Sequence, residues 1–259
     1  MTNSIILNAS DGNPIRTNSI PVTDSNFLLI GDHAGWSIPS SLDNLGLSEA
    51  DRSRHIALDM GVRDLGIALG IRLGAPFIWQ HFSRLVCDCN RHPQAADWAL
   101  RVSDNTLVPG NNGLREADLR ARRQEIFDPY HAAITAAIDA RRADGQSTFL
   151  ISLHSFTPRM SGNDRPWDIG VLHDGHADQF ARSVLTRLGS MSTYNIGDNQ
   201  PYKMDDTDYT VPRHAYPLGL PYVELEVRQD RLSAEASVER IADLLGEVLP
   251  LAMSDHARA

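Results

Sequence analysis

An α/β fold in one domain, with a mainly parallel sheet flanked by helices, is what the sequence predicts, and three observations predict it. Short apolar runs at residues 27–30, 149–153 and 222–227 alternate with longer stretches of helical periodicity, the pattern of strands joined by crossover helices. Each run leads into or carries polar residues able to do chemistry, and open α/β sheets bind ligands just beyond the carboxyl ends of their strands. No Pro/Ser/Gly-rich linker, charge run or internal repeat divides the 259 residues, so the domain is expected to span 1–259.

Taken in order, residues 1–24 are polar and irregular and read as a strand or arm before the fold proper. The first strand is followed by a loop over 35–47. Ser48 can cap a helix, with Asp51 placed to complete the cap, and that helix is expected to run through Ile56, Met60 and Ala68 toward Gly70. Residues 76–88 read as a strand ending in Cys89-Asn90-Arg91. A loop rich in Asn and Gly over 103–113 precedes a charged helix from about Leu114 to Ile126. Pro129 opens another helix, which carries Ile134 and Ile138 and stops at Asp144-Gly145. A further helix lies near Gln179 to Leu188. Residues 189–221 show neither period, and a segment of that length in a compact domain is expected to be a wall or lid of the site. The last helix spans Ala234 to Leu249, with Val238, Ile241, Leu244, Leu245 and Val248 as its core stripe.

Composition excludes several classes of function. The net charge is −9 with no basic block, which argues against nucleic acid and anionic membranes as partners. No stretch approaches the ~20 apolar residues of a membrane span. Cys87 and Cys89 are one residue apart in the expected strand, where their side chains would point to opposite faces and could not bridge. Free thiols, and an N-terminus lacking a charged-then-apolar signal pattern, fit a reducing cytoplasm.

The chemistry-bearing residues cluster at the strand ends. Strand followed by histidine occurs twice, at Asp32-His33 and His154-Ser155, and a hydrolytic metal site takes about three ligands of His and carboxylate type. His33 and His154 are the first two candidates. The third is Asp59, or His55 one turn earlier on the expected helix, while Asp32 better suits holding an imidazole from behind. Glu226, with Glu224 on the same strand face, is a costly residue to bury unpaired. It either pairs with an arginine such as Arg228 or takes and returns a proton during hydrolysis. Asn90-Arg91 could grip a substrate carboxylate, with Arg84, Arg159, Arg165 and Arg228 as competitors whose plain alternative is a structural ion pair. His131 and His214 are candidates for polarising or shuttling a proton, whereas His173 and His176 fall in a Gly-containing turn expected to be solvent-exposed.

These segments together resemble the N-formylglutamate amidohydrolase family. The resemblance rests on Gly31-Asp32-His33-Ala34-Gly35, Arg54-His55-Ile56-Ala57-Leu58-Asp59-Met60-Gly61 and Ser83-Arg84-Leu85-Val86-Cys87-Asp88-Cys89-Asn90-Arg91. It continues through Pro129-Tyr130-His131, Leu153-His154-Ser155-Phe156-Thr157-Pro158, Trp167-Asp168-Ile169-Gly170, His214-Ala215 and Glu224-Leu225-Glu226-Val227-Arg228-Gln229-Asp230, in order over about residues 27–232. It implies a fold similar to zinc carboxypeptidases, with a mixed sheet, and metal-dependent cleavage of an N-acyl bond. By the same resemblance the metal, expected to be zinc, is held by His33, Asp59 and His154, and Glu226 is the base. Asn90 and Arg91, with Arg84, Arg228 and Ser155 nearby, would receive a small anionic amide such as an N-formyl amino acid. The chain departs from many relatives at Asp32 and Leu58, and lacks the carboxypeptidase H-x-x-E spacing because Trp36 follows His33 at that interval.

Overall fold

Residue parity organises the centre of the structure, a computed structural model that describes residues 5–18, 24–175 and 177–258. Strands β2 (Phe27–Gly31), β6 (Phe149–Phe156) and β11 (Tyr222–Arg228) lie side by side and parallel, with β6 in the middle. Because side chains alternate along a strand, Phe27, Leu29, Ile151, Leu153, Val223 and Leu225 all reach one face. There they pack under α2 (Val62–Leu73), α5 (Gln179–Met191) and α7 (Glu235–His256). The intervening residues Leu28, Ile30, Leu150 and Tyr222 face a second core beneath α4 (Asp128–Ala143). Further along the strands that second face turns polar, at Ser152, His154, Glu224 and Glu226. The change of character marks where packing ends and the site begins.

The full sheet has seven strands in the order β1-β3-β2-β6-β11-β9-β10, adding β1 (Ile15–Thr17), β3 (Phe77–Gln80), β9 (Ile169–Leu172) and β10 (Ile196–Asp198). It is mixed and mostly parallel: only β1 on β3 and β9 on β11 run antiparallel. The mainly parallel α/β expectation therefore holds, with a strand inside the N-terminal arm as its edge; the rest of that arm at 1–4 and 19–23 lies outside the described residues. Two small hairpins, β4 (Val102–Ser103) with β5 (Thr106–Leu107) and β7 (Arg159–Met160) with β8 (Asn163–Asp164), stand away from the sheet. No helix of the described residues is long and apolar enough to cross a membrane.

Several expected elements are corrected. The helix expected from Ser48 to Gly70 is two: α1 (Glu49–Arg52), with the Ser48 cap accepting from the Asp51 amide at 3.1 Å, and α2. Between them the chain leaves the helix because the Asp59 amide donates to the His33 carbonyl at 2.9 Å and Gly61 adopts φ 80°. Leu232 packs so closely there that a Cβ on Gly61 would come within 2.4 Å of it. Asp59 and His55 thus do not share a helix face. The strand expected over 76–88 stops at Gln80, whose side-chain carbonyl caps the Phe82 amide; Ser83 then accepts from the Leu85 amide and turns the chain. Cys87 and Cys89 lie in these turns as buried free thiols of one core, not on opposite faces of a strand.

The expected loop at 103–113 contains the β4–β5 hairpin, turned at Asp104 and Asn105 with positive φ. The charged helix is α3 (Glu116–Arg122), and a wide turn at Arg123–Phe127 carries it into α4 without a gap. The long aperiodic segment holds the end of α5, then β10 and the short α6 (Thr210–His214). The C-terminal helix runs on through Pro250 to His256.

Candidate active site

The turn after β2 carries Asp32 and His33, β6 carries His154, and the break between α1 and α2 brings Asp59 to both histidines. His154 Nδ1 lies 2.9 Å from Asp59 Oδ2, and His33 Nδ1 lies 3.4 Å from the same oxygen. One donor atom from each of His33, Asp59 and His154 falls within 4.8 Å of the others, and all three residues are buried. The far nitrogens are held from behind. His33 Nε2 meets Asp88 Oδ1 at 2.7 Å, and Arg84 donates to the other Asp88 oxygen at 2.6 Å. His154 Nε2 meets Ser152 Oγ at 3.1 Å, with Asp32 Oδ2 at 3.6 Å. A carboxylate at His33 Nε2 keeps the proton there and turns the Nδ1 lone pair toward Asp59. Among the described residues that Nδ1 has no hydrogen-bond partner.

Electrostatics around these groups favour positive charge. Burial and Arg84 push the His33 pKa down, yet Asp88 and Asp59 outweigh them and raise it. Burial likewise opposes the His154 imidazolium, but Glu224, Asp32 and Asp59 lift its pKa well above the ordinary value. Burial would raise Asp59 and Asp88, but the histidines, with Arg84 at Asp88, hold both below the usual carboxylate range. Asp32, Asp59, Asp88 and Glu224 thus favour positive charge at the two imidazoles. Metal ions displace protons from their ligands, and a buried His-carboxylate-His set is the donor type a divalent ion takes. The residues present therefore fit a divalent ion.

Glu226 pairs in register with His154 across β6 and β11, and Glu224 pairs with Ser152. Both glutamates are buried and line one cavity of about 400 Å³ with His33, Asp59 and His154. Burial pushes Glu226 up to about 8, with His154 opposing and Asp59 assisting. Burial also pushes Glu224 to about 8, with His154 opposing and Asp208 and Glu226 assisting. Among the described residues neither Glu226 Oε2 nor Glu224 Oε2 has a hydrogen-bond partner. The segment before α6 supplies one cavity wall through Tyr202, Lys203, Asp205, Thr207 and Asp208, as the aperiodic stretch led us to expect. His55 and Asp104, 3.4 Å apart, stand on another side.

The other sequence candidates divide. Arg84, Asn90, Arg91 and Ser155 line the cavity, yet much of their bonding capacity faces the protein. Arg84 reaches Asp88 and, at 3.4 Å, Asp59. The Asn90 amide accepts from the Tyr209 and Thr210 amides and donates to Asp208, so it pins the wall and is not a free substrate contact. Arg91 Nε bonds Asp97, and Nη1 bonds the carbonyls of Asn90 and Thr207. Ser155 Oγ donates to the Met60 carbonyl. Arg228, His131 and His214 do not line the cavity. Arg228 is paired with Asp168 and Asp230 and donates to the carbonyls of residues 165–167, a clamp between β11 and its neighbours. His131 and His214 stack on each other, buried and joined by a 2.9 Å hydrogen bond, and His131 Nε2 meets the Cys89 carbonyl at 3.0 Å. His173 is buried between Asp178 at 3.0 Å and Asp198 at 2.8 Å, contrary to an exposed turn; His176 lies outside the described residues. Sequence reasoning missed Asp88, Asp208 and Tyr202. Asp88 stands within the Arg84–Arg91 motif, where the sequence reads as the end of a strand.

Comparison with known proteins places the chain in a family. No protein of curated description matches the chain. Among solved structures, a gene product of Agrobacterium tumefaciens superposes with a TM-score of 0.92 at 31% identity, over 96% of this chain and 98% of that one. An N-formylglutamate amidohydrolase from Ralstonia eutropha superposes with a TM-score of 0.67 at 18% identity, over 95% of this chain and 99% of that one, a likeness of fold. The family model of N-formylglutamate amidohydrolase matches residues 25–232, a span that takes in every strand-end residue of the cavity. By that match the chain belongs to the N-formylglutamate amidohydrolase family, whose members are hydrolases acting on amide bonds.

Proposed function

We propose that this amidohydrolase is metal-dependent and removes a formyl or similarly small acyl group from the nitrogen of a small molecule that also carries a carboxylate. The observation that carries the reading is the convergence, in one cavity, of the buried His33-Asp59-His154 set with Glu226, the register partner of His154. The family's name supports the formyl amide as the bond cleaved.

In this reading His33, Asp59 and His154 hold a divalent ion, which the donor set suits as zinc. When bound, the ion supplies Lewis acidity, activating water and drawing charge from the amide carbonyl. Glu226 takes a proton from the attacking water and returns it to the departing nitrogen. A C–O bond forms, the C–N bond breaks, and formate and a free amine leave. Beside a dication Glu226 ionises more readily than it does in bare protein, which suits a base. Asp88 and Asp32 keep the two imidazoles oriented. Arg91, its guanidinium fixed at the cavity by Asp97 and two carbonyls, offers its remaining edge to the substrate carboxylate, with Lys203 on the same lining.

The test is metal analysis of purified protein combined with formate release from a panel of N-formyl amino acids. We expect about one zinc per chain and formate in step with free amine. His33→Ala and His154→Ala should lose the metal, and Arg91→Lys should lower kcat/KM more than tenfold, since a point charge does not reproduce a planar contact. Near-stoichiometric zinc in both histidine variants would overturn the ligand assignment, and formate release by metal-free protein would overturn the metal dependence.

A further inference from the structure

The cavity has an acidic side, beside the metal niche and the proposed base, that carries no assigned contact with the substrate. Glu224 is 5% exposed, lines the cavity, and among the described residues its Oε2 has no hydrogen-bond partner. Asp208, on the pinned wall, lies close enough to Glu224 for their like charges to repel, and it lines the same cavity. Asp208 is bonded by the Asn90 amide at 3.2 Å and paired with Arg91 at 3.5 Å, whereas Glu224 feels the charge of His154 but receives no hydrogen bond at Oε2 among the described residues. The lining arginines have little to offer a second anion. Arg84 is held on Asp88 and Asp59, and Arg91 bonds Asp97 and two carbonyls. Once Arg91 and Lys203 take one carboxylate of a substrate, a second is left to the side of Glu224 and Asp208.

We propose that Glu224, with Asp208 beside it, forms a subsite for a cationic amine, so that the favoured substrate is an N-acyl amino acid whose side chain ends in an ammonium group. This rests on the amide-hydrolysis reading of the same cavity and narrows its substrate. A buried carboxylate oxygen facing open space is costly unless a donor arrives, and an ammonium brings both hydrogen bonds and charge. The acyl group would sit at the His33-Asp59-His154 niche, the backbone carboxylate toward Arg91 and Lys203, and the side-chain amine against Glu224. A cavity of about 400 Å³ accommodates a molecule of that size.

The experiment compares Nα-formylornithine, Nα-formylnorleucine and N-formylglutamate, side chains of similar length ending in a cation, a methyl and an anion. Each is assayed by formate release with metal-loaded protein, and binding of the free amino acids is followed separately by thermal shift. We expect kcat/KM for formylornithine to exceed that for formylnorleucine at least tenfold, with formylglutamate poorest. Ornithine should stabilise the protein more than norleucine or glutamate. In Glu224→Gln the ornithine-to-norleucine ratio should fall to within about threefold, and Asp208→Asn should reduce it in the same direction. The Asp208 variant keeps the proposal testable if Glu224→Gln does not fold. Preference for formylglutamate, or a ratio unchanged in both variants, would overturn the subsite. A Glu224→Gln protein slowed equally on all compounds would place Glu224 in proton transfer and overturn it as well. No formate from any compound would defeat the amide reading instead, and the ornithine shift would then decide the cation subsite by itself.

Discussion

His33 illustrates how much a single metal-ligand candidate leans on its neighbour. Its Nε2 meets Asp88 at 2.7 Å, and only that contact leaves Nδ1 free to face Asp59 and His154. Asp88→Asn would keep the shape but leave one accepting oxygen where His33 and Arg84 each need one, and Arg84 would lose its main counter-charge. Groups that orient a ligating histidine typically carry 10–100-fold in metal affinity, so competition with a chelator should show a loss of that size. Unchanged affinity would mean that Asp88 serves only Arg84. For Glu226 the expectation is different. Glu226→Gln preserves packing and removes the basic oxygen, so kcat should drop by about 10²–10⁴ while metal content stays at wild-type level. Near wild-type kcat in that variant would leave water activation to the metal alone. His33, His154 and Glu226 were readable from the sequence because each is a polar residue on or just after an apolar strand, where burial needs a reason. Asp88 was not, since the apolar residues Leu85, Val86 and Cys87 mimic a strand and are in fact a fully buried turn.

Elements decide which of these residues can meet. The parallel neighbours β2, β6 and β11 were legible from their apolar runs, and so was the stripe of α7, since these patterns reflect burial that continues over several residues. The break between α1 and α2 was not, because no local signal announces that Asp59 is drawn out of the helix by His33 and His154. Tertiary contacts outweigh helical propensity there. The wall before α6 shows the same dependence on long-range bonds. Asn90 Oδ1 accepts from the amides of Tyr209 and Thr210 at 3.0 and 2.9 Å, and Thr210 Oγ1 donates to Asp32 at 2.8 Å. The start of α6 is thereby fastened to the floor of the cavity. Asn90→Ala would leave two amides without an acceptor, costing about 1–3 kcal/mol. Since the same segment carries Asp208 into the cavity, KM should rise by a larger factor than kcat falls. Denaturant midpoints and steady-state kinetics check both effects. A variant with unaltered stability and KM would detach this wall from substrate binding.

At the level of the whole molecule, the residues that failed to reach the cavity make its stability depend on pH. His131 Nε2 lies 3.0 Å from the Cys89 carbonyl, which only accepts, so that nitrogen carries the proton. In the neutral pair His131 Nδ1 therefore accepts from His214 Nε2 at 2.9 Å, and protonation of both rings would set two N–H groups against each other. Burial is the leading cause that drives His131 down to about 3, with His214 contributing, and burial with Arg213 drives His214 to about 4. Unfolded, both titrate near pH 6.5. Between these limits the unfolded chain binds more protons than the folded one. Stability present above pH 6.5 is consequently lost as the pH falls toward 4, at up to about 1.4 kcal/mol per pH unit for each ring. Glu224 and Glu226 act in the opposite sense in metal-free protein, because their raised values favour the folded state as the pH falls through 8. Metal-loaded protein is thus the proper sample, and a variant the proper reference. His214→Gln supplies an amide donor to His131 without a titrating group. Unfolding free energies measured in urea at pH 7, 6 and 5 should fall more steeply in wild type than in this variant, by roughly 1 kcal/mol per unit below pH 6. Parallel profiles would show that the pair takes up a proton in the folded state, and the acid sensitivity of the molecule would then lie with its carboxylates.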